Sequence, residues 1–273
     1  MKHKWPLLAL AAGLFTTSAC NLSGSSAQSP TSQIGGGNPL AKTDVLLYNG
    51  TGVATSDWQT TESLIQSQGW SYELINSSEL NAMTPEEIGS YALIVVPGGK
   101  GGTITSYLTP ETRLNLRQAV QDQGVGYVGF CAGAWIAVGP EAQSSATAAY
   151  GLAIAPGDVL STYWPGGNTN LTADIVPITL ENGALRSLVW WGGPATPEWS
   201  DPSFGSGVIG RYENGAPALS QTYSGKGLVV ISGPHPEAPQ GWWLTSGNDP
   251  DGLDWDLAIS MMSAAKQGNW LSL

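Results

Sequence analysis

The stretch VGYVGFCAGAW, residues 125–135, decides the fold, because it joins an apolar run to the start of a helix through a single cysteine. Residues 125–130 are typical of a buried parallel strand. Gly129 and Gly133 stand two residues from Cys131 on either side, where a sharp strand-to-helix turn leaves room only for small residues. The pattern predicts a nucleophile elbow, with Cys131 at the carboxyl edge of a sheet.

Strands and helices alternate before this elbow. Short apolar runs at residues 45–48, 72–75 and 92–96 predict three more strands, and Ser56 and Asp57 are candidate caps of the helix after the first. This alternation predicts an α/β fold, a flavodoxin-like three-layer sandwich with a mostly parallel central sheet. Its functional loops should lie at the carboxyl ends of the strands.

The pattern changes after about residue 140. Residues 141–206 are rich in Gly, Pro and Trp and predict an insertion of short strands and loops on the same core. Residues 208–212, 216–223 and 227–232 predict an antiparallel meander, and residues 253–266 a closing amphipathic helix. We therefore expect one catalytic-sized domain over residues 44–273 and no second one.

Composition excludes several classes of protein. The 273 residues carry a net charge of -11, the wrong sign for binding nucleic acid. Two Cys cannot build a disulfide framework, and two His make a zinc site of the usual spacing improbable. We expect no metal and no cofactor, and the oligomeric state cannot be inferred.

The N-terminus predicts export. Lys2 and Lys4 precede a short apolar run and then small residues before Cys20, the order of a signal peptide over residues 1–19. The segment resembles a bacterial lipoprotein signal, which implies lipidation of Cys20, followed by a flexible Ser/Gly-rich tether over residues 20–43. We expect a membrane-anchored protein of the bacterial cell envelope, attached only through its lipid. The alternative is ordinary secretion after another small residue.

Cys131 is the candidate nucleophile. A helix N-terminus beside the sulfur favours the reactive thiolate, and the N–H of Ala132 would face a developing oxyanion. The alternative is a buried free cysteine in a Gly-rich turn, since unpaired Cys is often buried.

A candidate base follows the last strand of the meander. With His3 in the signal, His235 is the only imidazole of the mature chain, so a histidine partner for Cys131 must be this residue. Glu237 is placed to orient its ring as the third member of a catalytic triad. The alternative is a solvated turn with Glu237 exposed.

A second oxyanion donor is expected from the segment PGGKGG, residues 97–102. Gly98 or Gly99 could bring a backbone N–H close to a substrate oxygen. The alternative is a flexible turn.

A strand ending in P-G-G, an elbow G-x-C-x-G and a late H-P-E, in this order, resemble the class I glutamine amidotransferase-like superfamily. VPGGKGG and GFCAGAW are most similar to the N-terminal, amidotransferase-like domain of biotin-protein ligases. The resemblance covers residues 44–265 and implies Cys131 as nucleophile, His235 as base, Glu237 as orienting acid, and Gly99 with Ala132 as oxyanion donors. Ala132 stands where glutamine-using relatives usually have Leu, so the resemblance does not imply glutaminase activity, nor biotinylation.

Twelve Trp residues suggest a substrate wall. Trp190, Trp191 and Trp243 lie in segments expected to overhang the carboxyl edge of the sheet. The alternative is that their rings fill a loop-rich core.

Two functions fit these features. The first is a cysteine hydrolase or amidase acting on a small-molecule or peptide-like amide or ester, and the second is an inactive ligand- or partner-binding module of the envelope. A chaperone-like or redox-sensing role for the lone thiol is a third hypothesis.

Overall fold

The computed structural model describes residues 43–139 and 151–273. The predicted signal peptide, Cys20 and the tether therefore lie outside the described residues, except for Thr43. A nine-stranded sheet runs through the described part. Its strands are β1 (Thr43–Tyr48), β2 (Tyr72–Ile75), β3 (Tyr91–Val96), β4 (Gly126–Phe130), β5 (Asp174–Leu180), β6 (Leu185–Trp190), β9 (Val208–Tyr212), β10 (Pro217–Ser224) and β11 (Gly227–Ser232). Across the sheet they lie in the order β2-β1-β3-β4-β11-β10-β9-β5-β6.

Two short strands, β7 (Ser200–Asp201) and β8 (Gly205–Ser206), pair separately. The helices are α1 (Thr55–Ser67), α2 (Ser77–Leu80), α3 (Pro85–Ile88), α4 (Gly101–Ser106), α5 (Pro110–Gln121), α6 (Ala132–Ala137), α7 (Trp243–Ser246) and α8 (Trp255–Gln267), with 3-10 turns at Pro165–Gly167 and Gln240–Trp242. Among the described helices, none is long and apolar enough to cross a bilayer.

The sheet has a parallel and an antiparallel part. Strands β2, β1, β3, β4 and β11 pair in parallel. From β11 outward through β10, β9, β5 and β6, every pair is antiparallel. The predicted meander is therefore present, and β5 and β6 of the insertion extend the same sheet, whereas β7 and β8 form a separate pair.

Both faces of the parallel part are covered, as consecutive strand residues point to opposite sides. Leu47 packs with residues of α1 and α8, whereas Leu46 packs with residues of α5 and α6. The predicted α/β three-layer sandwich is confirmed.

The first helix begins earlier than its predicted caps. Ala54 is the N-cap and makes no side-chain capping bond, because its methyl group has no acceptor; its backbone N–H donates to the carbonyl of Gly98 at 3.0 Å. Ser56 and Asp57 thus lie inside the first turn rather than before it. This places Asp57 next to the loop after β3, where it is buried.

Candidate active site

Two neighbouring parallel strands bring the predicted nucleophile and base together. In β4 and β11, Phe130 is paired with Ser232. The ladder continues one step further, since the N–H of Cys131 donates to the carbonyl of Ser232 at 2.8 Å. The segments that carry Cys131 and His235 therefore leave the sheet at the same edge, side by side.

Cys131 occupies a strained backbone conformation, with φ 47° and ψ -100°, at the N-cap of α6. A Cβ on Gly133 would lie 1.9 Å from the carbonyl oxygen of Val96, and one on Gly129 would lie 2.4 Å from the carbonyl carbon of Gly133. The elbow is thus so closely packed that no side chain fits at either glycine. Such strain costs about 1–3 kcal/mol and is found where the surroundings fix it.

Cys131 is only 5% exposed, yet it lines a cavity rather than being sealed in the core. Its Sγ lies 3.7 Å from the carbonyl oxygen of Trp191, a weak hydrogen bond. His235 lines the same cavity and interacts electrostatically with Cys131. The thiol therefore has an imidazole nearby and open space on another side.

His235 is held by backbone and side-chain contacts. Its backbone N–H donates to the carbonyl of Val189, near the end of β6, at 2.7 Å. Its ring nitrogen Nδ1 lies 2.8 Å from Oε1 of Glu237. Because Nδ1 faces Glu237, Nε2 is the nitrogen left for Cys131. Burial alone would lower the pKa of His235, but the charges of Glu237 and Cys131 raise it well above its usual value.

Glu237 is fully buried beside the ring. Within the described residues its Oε2 has no hydrogen-bond partner, and its Oε1 contacts Nδ1 of His235. The indole N–H of Trp255 fixes the backbone here by donating to the carbonyl oxygens of Glu237 and Ala238, each at 3.1 Å. This geometry suits a carboxylate that orients the imidazole and stabilises its charged form.

Asp57 is a member of the site that the sequence did not reveal. Its Oδ1 lies 3.6 Å from Nδ1 of His235, and its Oδ2 accepts a hydrogen bond from Ser56 at 3.3 Å. Burial raises the pKa of Asp57 to about 6, against the lowering effect of His235. An Asp at a helix start is usually a cap, so the one available signal was its place at the start of the helix that follows β1, near the carboxyl edge of the sheet.

The predicted oxyanion donors lie around the same pair. A Cβ on Gly98 would lie 2.0 Å from Oδ1 of Asp57 and 2.7 Å from Cε1 of His235, so only glycine fits there. Gly99 lies opposite Val53 in a short antiparallel bridge. The hydrogen bonds of this bridge are made by the residues on either side of the two, so the backbone N–H of Gly99 takes no part in it. Ala132 is the first residue of α6, whose N–H has no intrahelical partner.

A cavity of about 930 Å³ opens over Cys131 and His235. Of the three tryptophans predicted as its wall, Trp191 lines it, but Trp190 and Trp243 do not. Trp190 is 1% exposed and packs in the core against Tyr163 and Trp164. Consecutive residues along a strand point to opposite sides of the sheet, so Trp190 faces the core while Trp191 faces the cavity. Trp135 and Trp242 line the cavity together with Trp191.

Asp57, His235 and Glu237 also place three potential ligand atoms within 4.8 Å of one another. The 2.8 Å separation of Nδ1 and Oε1 is that of a hydrogen bond, and a charged imidazole cannot ligate a metal. The arrangement therefore favours a shared proton over a metal ion.

Comparisons with known proteins give one match to a family model and several similar solved structures. Residues 43–141 match the family model "Biotin-protein ligase, N terminal", so the predicted resemblance is confirmed for this segment, which holds Cys131 but not His235.

Solved structures similar to this chain include two amidotransferases. One is a glutamine amidotransferase, 17% identical, covering 81% of this chain and 98% of that one, with a TM-score of 0.49. The other is the glutamine amido transferase of Methylobacillus flagellatus, 15% identical, covering 74% of this chain and 75% of that one, with a TM-score of 0.42. No curated protein matches the sequence significantly.

Proposed function

We propose that this protein is a cysteine hydrolase of the amidotransferase-like class, acting on an amide or ester through a Cys131–His235–Glu237 triad. One observation carries the proposal: a cysteine with a strained backbone and a buried imidazole line the same cavity, and that imidazole rests on a buried carboxylate. A structural cysteine would require neither the strain nor the charged partners.

The first step is attack on the substrate carbonyl. The imidazolium of His235 stabilises the thiolate of Cys131, whose sulfur forms a bond to the carbonyl carbon. Negative charge develops on the carbonyl oxygen, where the N–H groups of Gly99 and Ala132 are available as donors. These donors are fixed by β3 and α6 before substrate arrives.

The second step releases the leaving group. The carbon–nitrogen or carbon–oxygen bond breaks, and His235 gives its Nε2 proton to the departing amine or alcohol, leaving a thioester on Cys131. Neutral His235 then takes a proton from water, which attacks the thioester and frees the acid and the thiol. Glu237 keeps the ring oriented in both steps.

We place this activity outside the cytoplasm. The basis is the order of charged, apolar and small residues before Cys20, which supports an export signal and a lipid anchor at that thiol. Growth of cells with radiolabelled palmitate tests this part. Label on the chain that is absent from a Cys20→Ser variant supports the anchor, whereas equal label in both contradicts it.

A binding module is the second candidate. The cavity of about 930 Å³ and its tryptophans favour it, since such a volume suits a ligand of drug size whether or not the thiol reacts. Under this reading Cys131→Ser would leave ligand affinity unchanged.

Hydrolysis of p-nitrophenyl esters tests the proposal, with Cys20→Ser in every chain so that Cys131 is the only thiol. We expect a burst of p-nitrophenol and an acyl mass increase on Cys131. The matched control, the Cys131→Ala form, should fold equally well and show neither. Equal p-nitrophenol release by both chains, with no adduct, would overturn the proposal.

A further inference from the structure

The carboxylate of Asp57 is not needed to orient the catalytic ring. Glu237 already holds Nδ1 of His235 at 2.8 Å, whereas Asp57 stands at 3.6 Å. The side chain of Asp57 is buried but borders the cavity. A buried carboxylate loses its water and is costly unless it is paired. The one hydrogen bond to its side-chain oxygens in the described structure comes from Ser56 at 3.3 Å, so much of its accepting capacity is left for a ligand.

Indole rings surround the reacting pair from two sides. Trp135 donates its indole N–H to the carbonyl of Gly192 at 3.3 Å, which places it beside Trp191 on the thiol side. Trp242 packs edge-on to His235, with ring centroids 5.1 Å apart. All three tryptophans line the cavity, and indole faces attract cations.

The charges around the cavity have the matching sign. Apart from His235, Lys100 is the one cationic side chain among the lining residues that the structure describes, and it is exposed, where water screens it. At the buried end, the carboxylates of Asp57 and Glu237 share the single imidazolium of His235, which lies closer to Glu237. The cavity floor thus holds more carboxylates than cations.

From this arrangement we propose that Asp57 binds a positively charged amino group of the substrate, beside the scissile carbonyl. The inference rests on the proposed function and narrows its substrate to amides or esters that carry a primary ammonium group. The ammonium donates hydrogen bonds to the Asp57 carboxylate, while the indole rings contact its methylene groups and share its charge.

Three thiol reagents of similar size test the charge preference: 2-aminoethyl, 2-hydroxyethyl and 2-sulfonatoethyl methanethiosulfonate. Each forms a disulfide with the thiolate and releases methanesulfinate. The full chain with Cys20→Ser is used, and each rate is divided by the rate with free cysteine. We expect the aminoethyl reagent to modify Cys131 at least about tenfold faster than the hydroxyethyl reagent, and the sulfonatoethyl reagent to be slowest.

Asp57→Asn should bring the aminoethyl-to-hydroxyethyl ratio to within about threefold of one, because the near-isosteric amide loses the charge. Glu111→Gln, an exposed change of the same charge in the first turn of α5, should leave the ratio unchanged. An unchanged ratio in Asp57→Asn would overturn the inference and leave the triad standing. Failure of Cys131 to react with any reagent would overturn the proposed function, and this inference with it.

A second measurement needs no substitution at Asp57. Ethylammonium chloride should slow modification of Cys131 by the hydroxyethyl reagent, whereas ethanol and sodium chloride at equal concentration should not. Equal effects of all three would also overturn the inference.

Discussion

The two described segments of the chain, residues 43–139 and residues 151–273, contribute to the site in different ways. Residues 43–139 supply the elbow of Cys131 and the loop of Gly98 and Gly99, both at ends of parallel strands, and Asp57 in the first turn of α1. Residues 151–273 supply His235 and Glu237, together with Trp191 and Trp242 of the cavity wall. The match to the biotin-protein ligase N-terminal family covers the first part and ends before the second. The nucleophile thus lies in the segment that matches the family model, and the base lies outside it.

The two parts also differ in how each catalytic group is fixed. Cys131 is fixed by backbone strain and by glycines packed against the carbonyls of Val96 and Gly133. His235 has no such strain, and is fixed by a strand-like bond to Val189 and by Glu237. The elbow therefore depends on its own packing, whereas the base depends on the edge strands of the insertion.

The largest effect is expected in the antiparallel part, at two neighbouring tryptophans. Trp190→Ala should destabilise the fold by about 3–5 kcal/mol, because it empties a buried site that packs with Tyr163 and Trp164. Trp191→Ala should cost less than about 1 kcal/mol, because that ring is 49% exposed. Urea unfolding of both variants measures the contrast, and equal losses would show that Trp190 is not part of the core.

A smaller change in stability, and one of opposite sign, is expected when Asp57 is substituted. Its pKa of about 6 in the folded state, against 3.8 for a free side chain, means that stability falls as pH rises through this interval. Asp57→Asn should therefore stabilise the fold at pH 8 by about 1–3 kcal/mol and have little effect at pH 4. Urea unfolding at the two pH values tests the sign. A variant that is less stable at pH 8 than the parent would show that the ionised carboxylate is well paired inside the protein.

The smallest effect is expected at the elbow. Cys131 has φ 47°, which glycine adopts without strain, so Cys131→Gly should be more stable than Cys131→Ala by about 1 kcal/mol. Ala134→Gly in α6, where the backbone is helical, should instead be destabilising. If Cys131→Gly were the less stable variant, the elbow would not be strained.

Much of this arrangement could be predicted from sequence because its signals are local. The short apolar runs gave β1 to β4, and the G-x-C-x-G and H-P-E motifs pointed to Cys131, His235 and Glu237. The pairing of β5 and β6 with the far edge of the main sheet depends on contacts between distant residues, which no local pattern encodes. Trp190 and Trp191 look alike in sequence, and only the direction of each side chain distinguishes core from wall. Asp57 was missed because a helix start accounts for an acid equally well.

The reactivity of Cys131 toward iodoacetamide tests the account most directly. With Cys20→Ser in every chain, the alkylation rate at pH 7 is measured with and without His235→Ala. Because the imidazolium favours the thiolate, we expect Cys131 to react faster than free cysteine, and His235→Ala to slow it by about tenfold or more. A rate equal to that of free cysteine, and unchanged by His235→Ala, would contradict the catalytic pair.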